Sequence, residues 1–188
     1  LIVAEKLEEV KLIIEVSKEM NIEPMIGLRI RLATKSAGKW SHSSGENAKF
    51  GLSSFDIVEA VKMLKQAQLL NALTMIHFHI GSQIPDIRVI GKAVKEGTRY
   101  YAKLIKMGCN LEYIDIGGGL GVDYDGSKST FSSSINYTLQ EYANNVVYHV
   151  KDICDEEKVN HPIIITESGR AVVSHHSLLV VESFGKIQ

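Results

Sequence analysis

Apolar positions recur along this chain with two alternating periods, one typical of helices and one typical of strands. Residues 7, 10, 13 and 14 form an apolar stripe at helical spacing, whereas residues 73–80 form a short, nearly continuous apolar run. The pattern predicts helices over residues 3–20, from Ser53 or Ser54 to 64, 85–107 and 139–153. It predicts strands over residues 25–32, 73–80, 113–116 and 163–167, and further extended chain over 171–183.

Repeated alternation of strands and helices is typical of parallel βαβ units, so the fold class is α/β. Two architectures fit this alternation: a parallel (β/α)8 barrel and a doubly wound open sheet. Both bind their ligands at the carboxyl ends of the parallel strands. The apolar pattern alone does not separate them.

Polar side chains stand late in each predicted strand, and side chains on a strand alternate between its two faces. In the second predicted strand, His77 and His79 lie opposite Ile76, Phe78 and Ile80. The corresponding groups on the other strands are Arg29, Arg31, Asp115 and Glu167. We therefore expect arginine, histidine and carboxylate groups to converge at one end of the sheet.

Three consecutive glycines, Gly117–Gly119, end the strand at 113–116, and Gly121 follows them. Glycine packs no side chain and costs backbone entropy, so a run of this kind indicates a specific requirement for bare backbone. Backbone N–H groups at the end of a strand can turn toward an anion, most often a phosphate. A tight turn without a ligand is the alternative.

Composition excludes several classes of protein. The 188 residues are 45% hydrophobic and 23% charged, with a formal net charge of −1, which gives no indication of a nucleic-acid or membrane-surface partner. No apolar run is long enough to span a bilayer. Two cysteines, Cys109 and Cys154, form no disulfide framework and fit a reducing compartment, so we expect a cytoplasmic protein.

The polar groups leave more than one chemistry open. His77 and His79 are two potential metal ligands on one face, with Asp115 or Glu167 as a third, but the adjacent glycine run favours no metal. They are otherwise core histidines. Glu167 is expected to be buried, either in a salt bridge with Arg29, Arg31 or Arg170, or as the carboxylate that keeps a ring nitrogen protonated.

Three motifs in order resemble the alanine-racemase-type barrel decarboxylases, which use pyridoxal phosphate: residues 77–83, 115–121 and 167–170. Within that family the match is closest to the arginine decarboxylases, on residues 38–40, 49–52, 121–124, 141–145 and 166–171. The resemblance covers nearly the whole chain. It implies the later part of a (β/α)8 barrel over residues 1–177, with 178–188 leaving toward a C-terminal β-domain.

The resemblance also implies an activity: decarboxylation of L-arginine to agmatine through a Schiff base and a quinonoid, in polyamine synthesis. Catalytic roles fall to Glu167, paired with the pyridine nitrogen, and to His79, stacked on the ring. The implied phosphate contacts are Ser82, Gly117, Gly118, Gly119, Gly169 and Arg170, with Arg29 near the cofactor. The implied substrate segment is Ile114, Asp115, Ile116, Gly117, Gly118, Gly119, Leu120, Gly121, Val122, Asp123 and Tyr124.

Some features of the family are expected outside this chain. The Schiff-base lysine is expected upstream, because Lys35, Lys39 and Lys49 lack its context. The family further implies Mg²⁺, without identifiable ligands here, and a homo-oligomer with sites shared between subunits. Three alternatives stay open: diaminopimelate decarboxylase, a non-catalytic pyridoxal-phosphate-binding barrel, and a metal-dependent barrel hydrolase using His77 and His79. Diaminopimelate decarboxylases normally have proline at the position of Ser168 and lack the loop around Trp40, which the polar stretch 34–49 predicts here.

Overall fold

A computed structural model describes residues 1–34, 49–182 and 184–185 of the chain. Its strands are β1 Ile2–Ala4, β2 Ile26–Arg29, β3 Leu73–His77, β4 Tyr113–Asp115 and β5 Ile163–Ile165. Its α-helices are α1 Leu7–Met20, α2 Ser54–Gln66, α3 Ile87–Lys106, α4 Leu139–Glu157 and α5 Gly169–Val173. A short 3₁₀ helix, Leu70–Ala72, leads into β3. The predicted loop around Trp40 lies outside the described residues.

The five strands form one sheet in the order β1-β2-β3-β4-β5, and every neighbouring pair is parallel. Right-handed crossovers between strands in monotonic order place all the connecting helices on one face of the sheet. A doubly wound sheet reverses its strand order at a switch point and carries helices on both faces. The strand order therefore identifies an arc of a (β/α) barrel, and it separates the two architectures that the sequence pattern left open.

The helix-covered face of the sheet forms the core. Leu28, Ile76 and Ile114 stand in register on adjacent strands and are completely buried. Apolar side chains of α1 to α4 pack in the same cluster, as their helical stripes predict. The opposite face, called the open face below, is exposed at its two edges, where Val3 and Ile163 are 40% and 59% exposed, whereas Met75 at its centre is buried.

Helix boundaries follow local capping chemistry. Ser53 is the N-cap of α2, and its hydroxyl accepts from the Asp56 N–H at 3.2 Å while Asp56 bonds back to Ser53. Thr138 and Glu141 form the same reciprocal box at the start of α4. These pairs satisfy N–H groups that a helix start otherwise leaves unbonded.

Two predictions for the ends of the chain are wrong. Residues 3–20 do not form one helix, because Ile2–Ala4 pair with β2 as a strand before α1 begins. A three-residue strand beside a helix is too short for its period to be visible in sequence. Residues 171–183 are not continuous extended chain either, since α5 covers Gly169–Val173 and no strand forms over 178–182. Their β-branched residues favour strands, but none of the described strands pairs with them.

Candidate functional site

Polar residues do line up across the sheet at its carboxyl end. Arg29 is in register with His77, and His77 is in register with Asp115. All three lie on the open face, opposite the buried row of Leu28, Ile76 and Ile114, as strand alternation predicts. The carboxyl end of β5 brings Glu167 to the same region, where its N–H donates to the Gly117 carbonyl at 2.9 Å.

The glycines after β4 adopt conformations and contacts that other residues do not tolerate. Gly117 has φ +66°, and a Cβ there would lie 2.4 Å from the Phe78 carbonyl oxygen. A Cβ on Gly118 would lie 3.0 Å from His79 Nε2 and 3.1 Å from the Glu167 carbonyl oxygen. Buried Asp115 fixes this turn, because its Oδ1 accepts from the Gly117 N–H at 2.9 Å. The loop therefore passes between His79 and Glu167 as bare backbone.

Arg170 joins groups from three separate loops. Its Nε donates to Ser82 Oγ at 3.0 Å, and its Nη1 donates to the Tyr124 hydroxyl at 3.0 Å. Arg170, Ser82 and Tyr124 are all exposed. A guanidinium beside two hydroxyls is a strong donor set for a phosphate group. Ser82 and Arg170 were implied by the resemblance as phosphate contacts; Tyr124 was implied only as a substrate contact.

His79 is exposed and oriented by its own loop. Its Nδ1 accepts from the Gly81 N–H at 3.0 Å, which leaves Nε2 as the nitrogen that carries the proton in the neutral ring. Partial burial lowers the pKa of His79, and the positive charge of Arg29 lowers it further, whereas the Glu167 carboxylate acts in the opposite direction. The lowered pKa favours the neutral ring, and the Gly81 hydrogen bond orients it.

The two histidines of β3 and its following loop, His77 and His79, lie in different surroundings. His77, not His79, lies with Asp115 and Glu167, and ligand atoms of these three residues are within 4.8 Å of one another. Nδ1 of His77 is 3.1 Å from Asp115 Oδ2, although the two atoms are not aligned as a hydrogen bond. His77 is buried while His79 is exposed, and this group of potential metal ligands contains His77 but not His79.

The prediction that Glu167 is buried is wrong: its side chain is exposed. The reason is its position at the end of β5, which is the last strand of the sheet in this chain. Arg29 pairs with Glu5 at 3.0 Å instead, and its guanidinium lies 5.1 Å from the centre of the Phe50 ring. Glu167 is thus left facing the open side of the sheet, next to His77 and Asp115.

Most of the implied substrate segment is buried structure. The side chains of Ile114, Ile116, Leu120 and Val122 are in the core or nearly so. Asp123 is half-buried and accepts from the Ser134 hydroxyl at 2.6 Å. Asp125 accepts from the hydroxyl of Ser133 and the backbone of Ser127, and these hydrogen bonds lower its pKa to about 2. Tyr124 is the residue of the segment whose side chain reaches Arg170.

The chemistry and the space at this end of the sheet fit pyridoxal phosphate. A Cβ on Gly169 would have no neighbour within 4 Å, so the residue that precedes Arg170 borders open space. Two hydroxyls and a guanidinium are suited to the phosphate, and the Glu167 carboxylate and the His79 imidazole, whose residues both lie against Gly118, are suited to the ring. Gln83, which ends the motif 77–83, and Tyr137 also form hydrogen bonds with the loops of this site, and the apolar and polar pattern of the sequence does not predict those bonds.

A parallel α/β barrel arc with polar groups gathered at its strand ends defines the class of protein. The model of the pyridoxal-dependent decarboxylase family's pyridoxal-binding domain matches residues 1–174. The chain belongs to this family. In none of the described residues is there a helix long and apolar enough to cross a membrane.

Individual relatives show which members of this family the chain resembles. The chain is 55% identical over 181 residues to biosynthetic arginine decarboxylase of Geobacter sp. strain M21, covering 96% of this chain and 28% of the relative. It matches the crystal structure of the biosynthetic arginine decarboxylase of Campylobacter jejuni with a TM-score of 0.78 and 42% identity, over 90% of this chain and 27% of that one. Diaminopimelate decarboxylase of M. jannaschii gives a TM-score of 0.76 and 26% identity, over 90% and 38%. The chain thus spans about a quarter of the curated relatives' length.

Proposed function

We propose that this chain forms part of a pyridoxal-phosphate-dependent decarboxylase that converts L-arginine to agmatine and CO₂. The observation that carries the proposal is the convergence of Arg170, Ser82 and the glycine turn at the carboxyl ends of β3, β4 and β5. Ser82 and Arg170 are 88 residues apart in sequence, so only the fold brings them together.

Arg170, Ser82 and the Gly117–Gly119 backbone are the proposed contacts of the cofactor phosphate. The guanidinium supplies the charge, and its bonds to Ser82 and Tyr124 hold it in place. Bare backbone lets N–H groups approach the phosphate oxygens closely. Gly169, next to Arg170 in the chain, borders open space. Removing Arg170 is therefore expected to weaken the binding of the phosphate in particular.

His79 and Glu167 are the proposed contacts of the cofactor ring. Bound pyridoxal phosphate supplies an electron sink for the electron pair that remains when CO₂ leaves. The Glu167 carboxylate would hold a proton at the pyridine nitrogen, since an ion pair favours both charged forms. His79, held by the Gly81 N–H, offers the flat face of a neutral imidazole for stacking.

The choice of L-arginine is supported by sequence similarity and not by a contact within this chain. The Geobacter relative, a biosynthetic arginine decarboxylase, is 55% identical, whereas the diaminopimelate decarboxylase is 26% identical. Asp123 and Asp125, acidic residues near the site, are already occupied by serine hydroxyls. They are therefore poor candidates for binding the guanidinium group of the substrate.

The test is CO₂ release by the complete parent protein with added pyridoxal phosphate and Mg²⁺, the divalent cation that the resemblance implies. Arginine, diaminopimelate, ornithine and lysine are compared as substrates. Release from arginine alone is the expected result. Release from diaminopimelate would retain the cofactor site and overturn the substrate. No release from any substrate with cofactor bound would favour a non-catalytic pyridoxal-phosphate protein.

A further inference from the structure

The two loops that carry the proposed phosphate contacts meet in a short parallel bridge. The loop after β3 carries Ser82, and the loop after β4 carries Gly117–Gly119. Ile84 pairs with Leu120, and the Ile84 N–H donates to the Gly119 carbonyl at 3.0 Å. A single bridge of this kind leaves the remaining backbone groups of both loops to be bonded by other means.

The Tyr137 hydroxyl supplies the next connection between these loops. It donates to the Ile84 carbonyl at 2.8 Å and accepts from the Gly121 N–H at 3.1 Å. Ile84 lies two residues beyond Ser82, and Gly121 lies two residues beyond Gly119. One hydroxyl thus satisfies a backbone group of each loop, using both its donor and its acceptor capacity.

Tyr137 is a core residue whose hydroxyl reaches both loops. Its side chain is 6% exposed, and its ring stacks on Tyr142 with the centroids 6.3 Å apart and the planes at 27°. Burial raises the pKa of Tyr137, so the phenol keeps the proton that it donates to Ile84. Tyr137, which precedes the N-cap of α4 and stacks on Tyr142 of that helix, therefore connects both loops to α4.

Gln83 makes a second connection between the loops, because its side-chain amide bonds both the N–H and the carbonyl of one residue, as a neighbouring strand would. Its Nε2 donates to the Val122 carbonyl at 2.7 Å, and its Oε1 accepts from the Val122 N–H at 2.9 Å. Gln83 itself has φ +55°, in the left-handed region, and its side chain reaches the neighbouring loop. Together, Tyr137 and Gln83 bond the backbone of both loops immediately after the phosphate contacts.

We propose that Tyr137 and Gln83 are positioning residues that fix the spacing between Ser82 and the Gly117–Gly119 backbone, and so set the affinity for the cofactor's phosphate. Neither residue is proposed to touch the cofactor. The inference depends on the proposed function, because it assumes that this site takes pyridoxal phosphate. Without these bonds the loops lose their common register, and the phosphate loses donors on one side.

The test compares the binding of pyridoxal phosphate with that of pyridoxal, which has the same ring and aldehyde but no phosphate. Equilibrium dialysis gives both dissociation constants for the complete parent protein and its Tyr137→Phe variant. Loss of buried hydrogen bonds to the loops is expected to raise the dissociation constant for pyridoxal phosphate by about five- to tenfold. The constant for pyridoxal is expected to change by less than about twofold, because a phosphate-specific loss leaves the ring contacts intact.

Tyr101→Phe is the matched control. The Tyr101 hydroxyl is also buried and lies 3.2 Å from two backbone carbonyl oxygens, of Leu111 and Asn160, but these are not in the loops of the site. If this control weakens pyridoxal phosphate binding as much as Tyr137→Phe does, the effect is general loosening and the inference is wrong. Gln83→Met removes the Val122 bonds with an unbranched side chain, and it decides the matter if Tyr137→Phe does not fold.

The outcomes separate this inference from the proposed function. If the wild-type protein binds pyridoxal phosphate no better than pyridoxal, the proposed phosphate site itself fails. If the wild-type protein prefers pyridoxal phosphate and both Tyr137→Phe and Gln83→Met keep that preference, only the positioning role fails. A selective loss of the preference in the variants, with Tyr101→Phe unchanged, supports both.

Discussion

Arg170 and Ser82 stand 3.0 Å apart, guanidinium Nε to hydroxyl, although 88 residues separate them in sequence. The contact reaches from α5, which follows β5, to the loop after β3, and so passes across the glycine turn that follows β4. Three consecutive βα connections therefore contribute to one donor cluster. Active sites of parallel barrels are assembled in this way from loops at the carboxyl ends of their strands.

Replacing Glu167 by glutamine in the complete enzyme is expected to reduce turnover by about 10²- to 10³-fold, the size of effect found when one preorganised electrostatic contact is removed. Cofactor content should stay near that of the wild type, because the phosphate contacts are unchanged. Turnover and bound pyridoxal phosphate are measured on the same preparation.

Glu112→Gln is the control for the charge change, since Glu112 is exposed and precedes β4 at the opposite end of the strand. Unchanged turnover in Glu167→Gln would remove the role of Glu167 in holding a proton on the ring.

Alanine at Gly117 is expected to destabilise the protein more than alanine at Gly126. Both glycines have φ near +70°, so both substitutions place a side chain in the left-handed region, at about 1–2 kcal/mol. Only at Gly117 would the Cβ also meet backbone, 2.4 Å from the Phe78 carbonyl oxygen, whereas Gly126 has no neighbour within 4 Å. The clash should add about 1–3 kcal/mol.

Thermal or urea unfolding of the two variants measures the difference directly. Equal destabilisation would mean that the turn yields to the added methyl group, and the close approach of Gly117 to the loop after β3 would then have no structural importance.

The pKa of His79 in the folded protein is expected to lie below the ordinary histidine value of about 6.5. Burial and the Arg29 charge lower its pKa in the folded protein, so the unfolded chain binds more protons in the window below 6.5. The contribution of His79 to stability is therefore complete above that pH and falls as the pH is lowered through the window.

The pH dependence of acylation of His79 by diethyl pyrocarbonate, followed by mass spectrometry in the cofactor-free parent protein, reports the neutral imidazole. N-acetylhistidine serves as the reference. A midpoint at or above the reference value would show that neither burial nor Arg29 acts on this ring.

The sequence pattern identified the row across the sheet because strand alternation is a local rule. It correctly placed Arg29, His77 and Asp115 on one face, and it marked Gly117–Gly119 as a turn needing bare backbone. The helices with clear stripes and N-caps, such as the one starting after Ser53, also lie where predicted.

What the pattern missed depends on contacts between distant parts of the chain. The strand Ile2–Ala4 exists because β2 offers it a partner, and three residues carry too little periodicity to show this. The exposure of Glu167 follows from the position of β5 at the edge of the sheet. The hydrogen bonds of Tyr137 to Ile84 and Gly121 join residues up to 53 positions apart, and no local rule predicts such a pairing.

The claim that Arg170 binds the phosphate of pyridoxal phosphate is tested most directly by Arg170→Gln in the complete parent protein, with Arg99→Gln on the outer helix α3 as the control. Dissociation constants for pyridoxal phosphate and pyridoxal are compared. We expect the constant for pyridoxal phosphate to rise at least about tenfold, as for the loss of a charge-assisted hydrogen bond, with pyridoxal unaffected. Equal constants for pyridoxal phosphate in Arg170→Gln and the wild type would contradict the account, and the cluster at Ser82 and Arg170 would then not be a phosphate site.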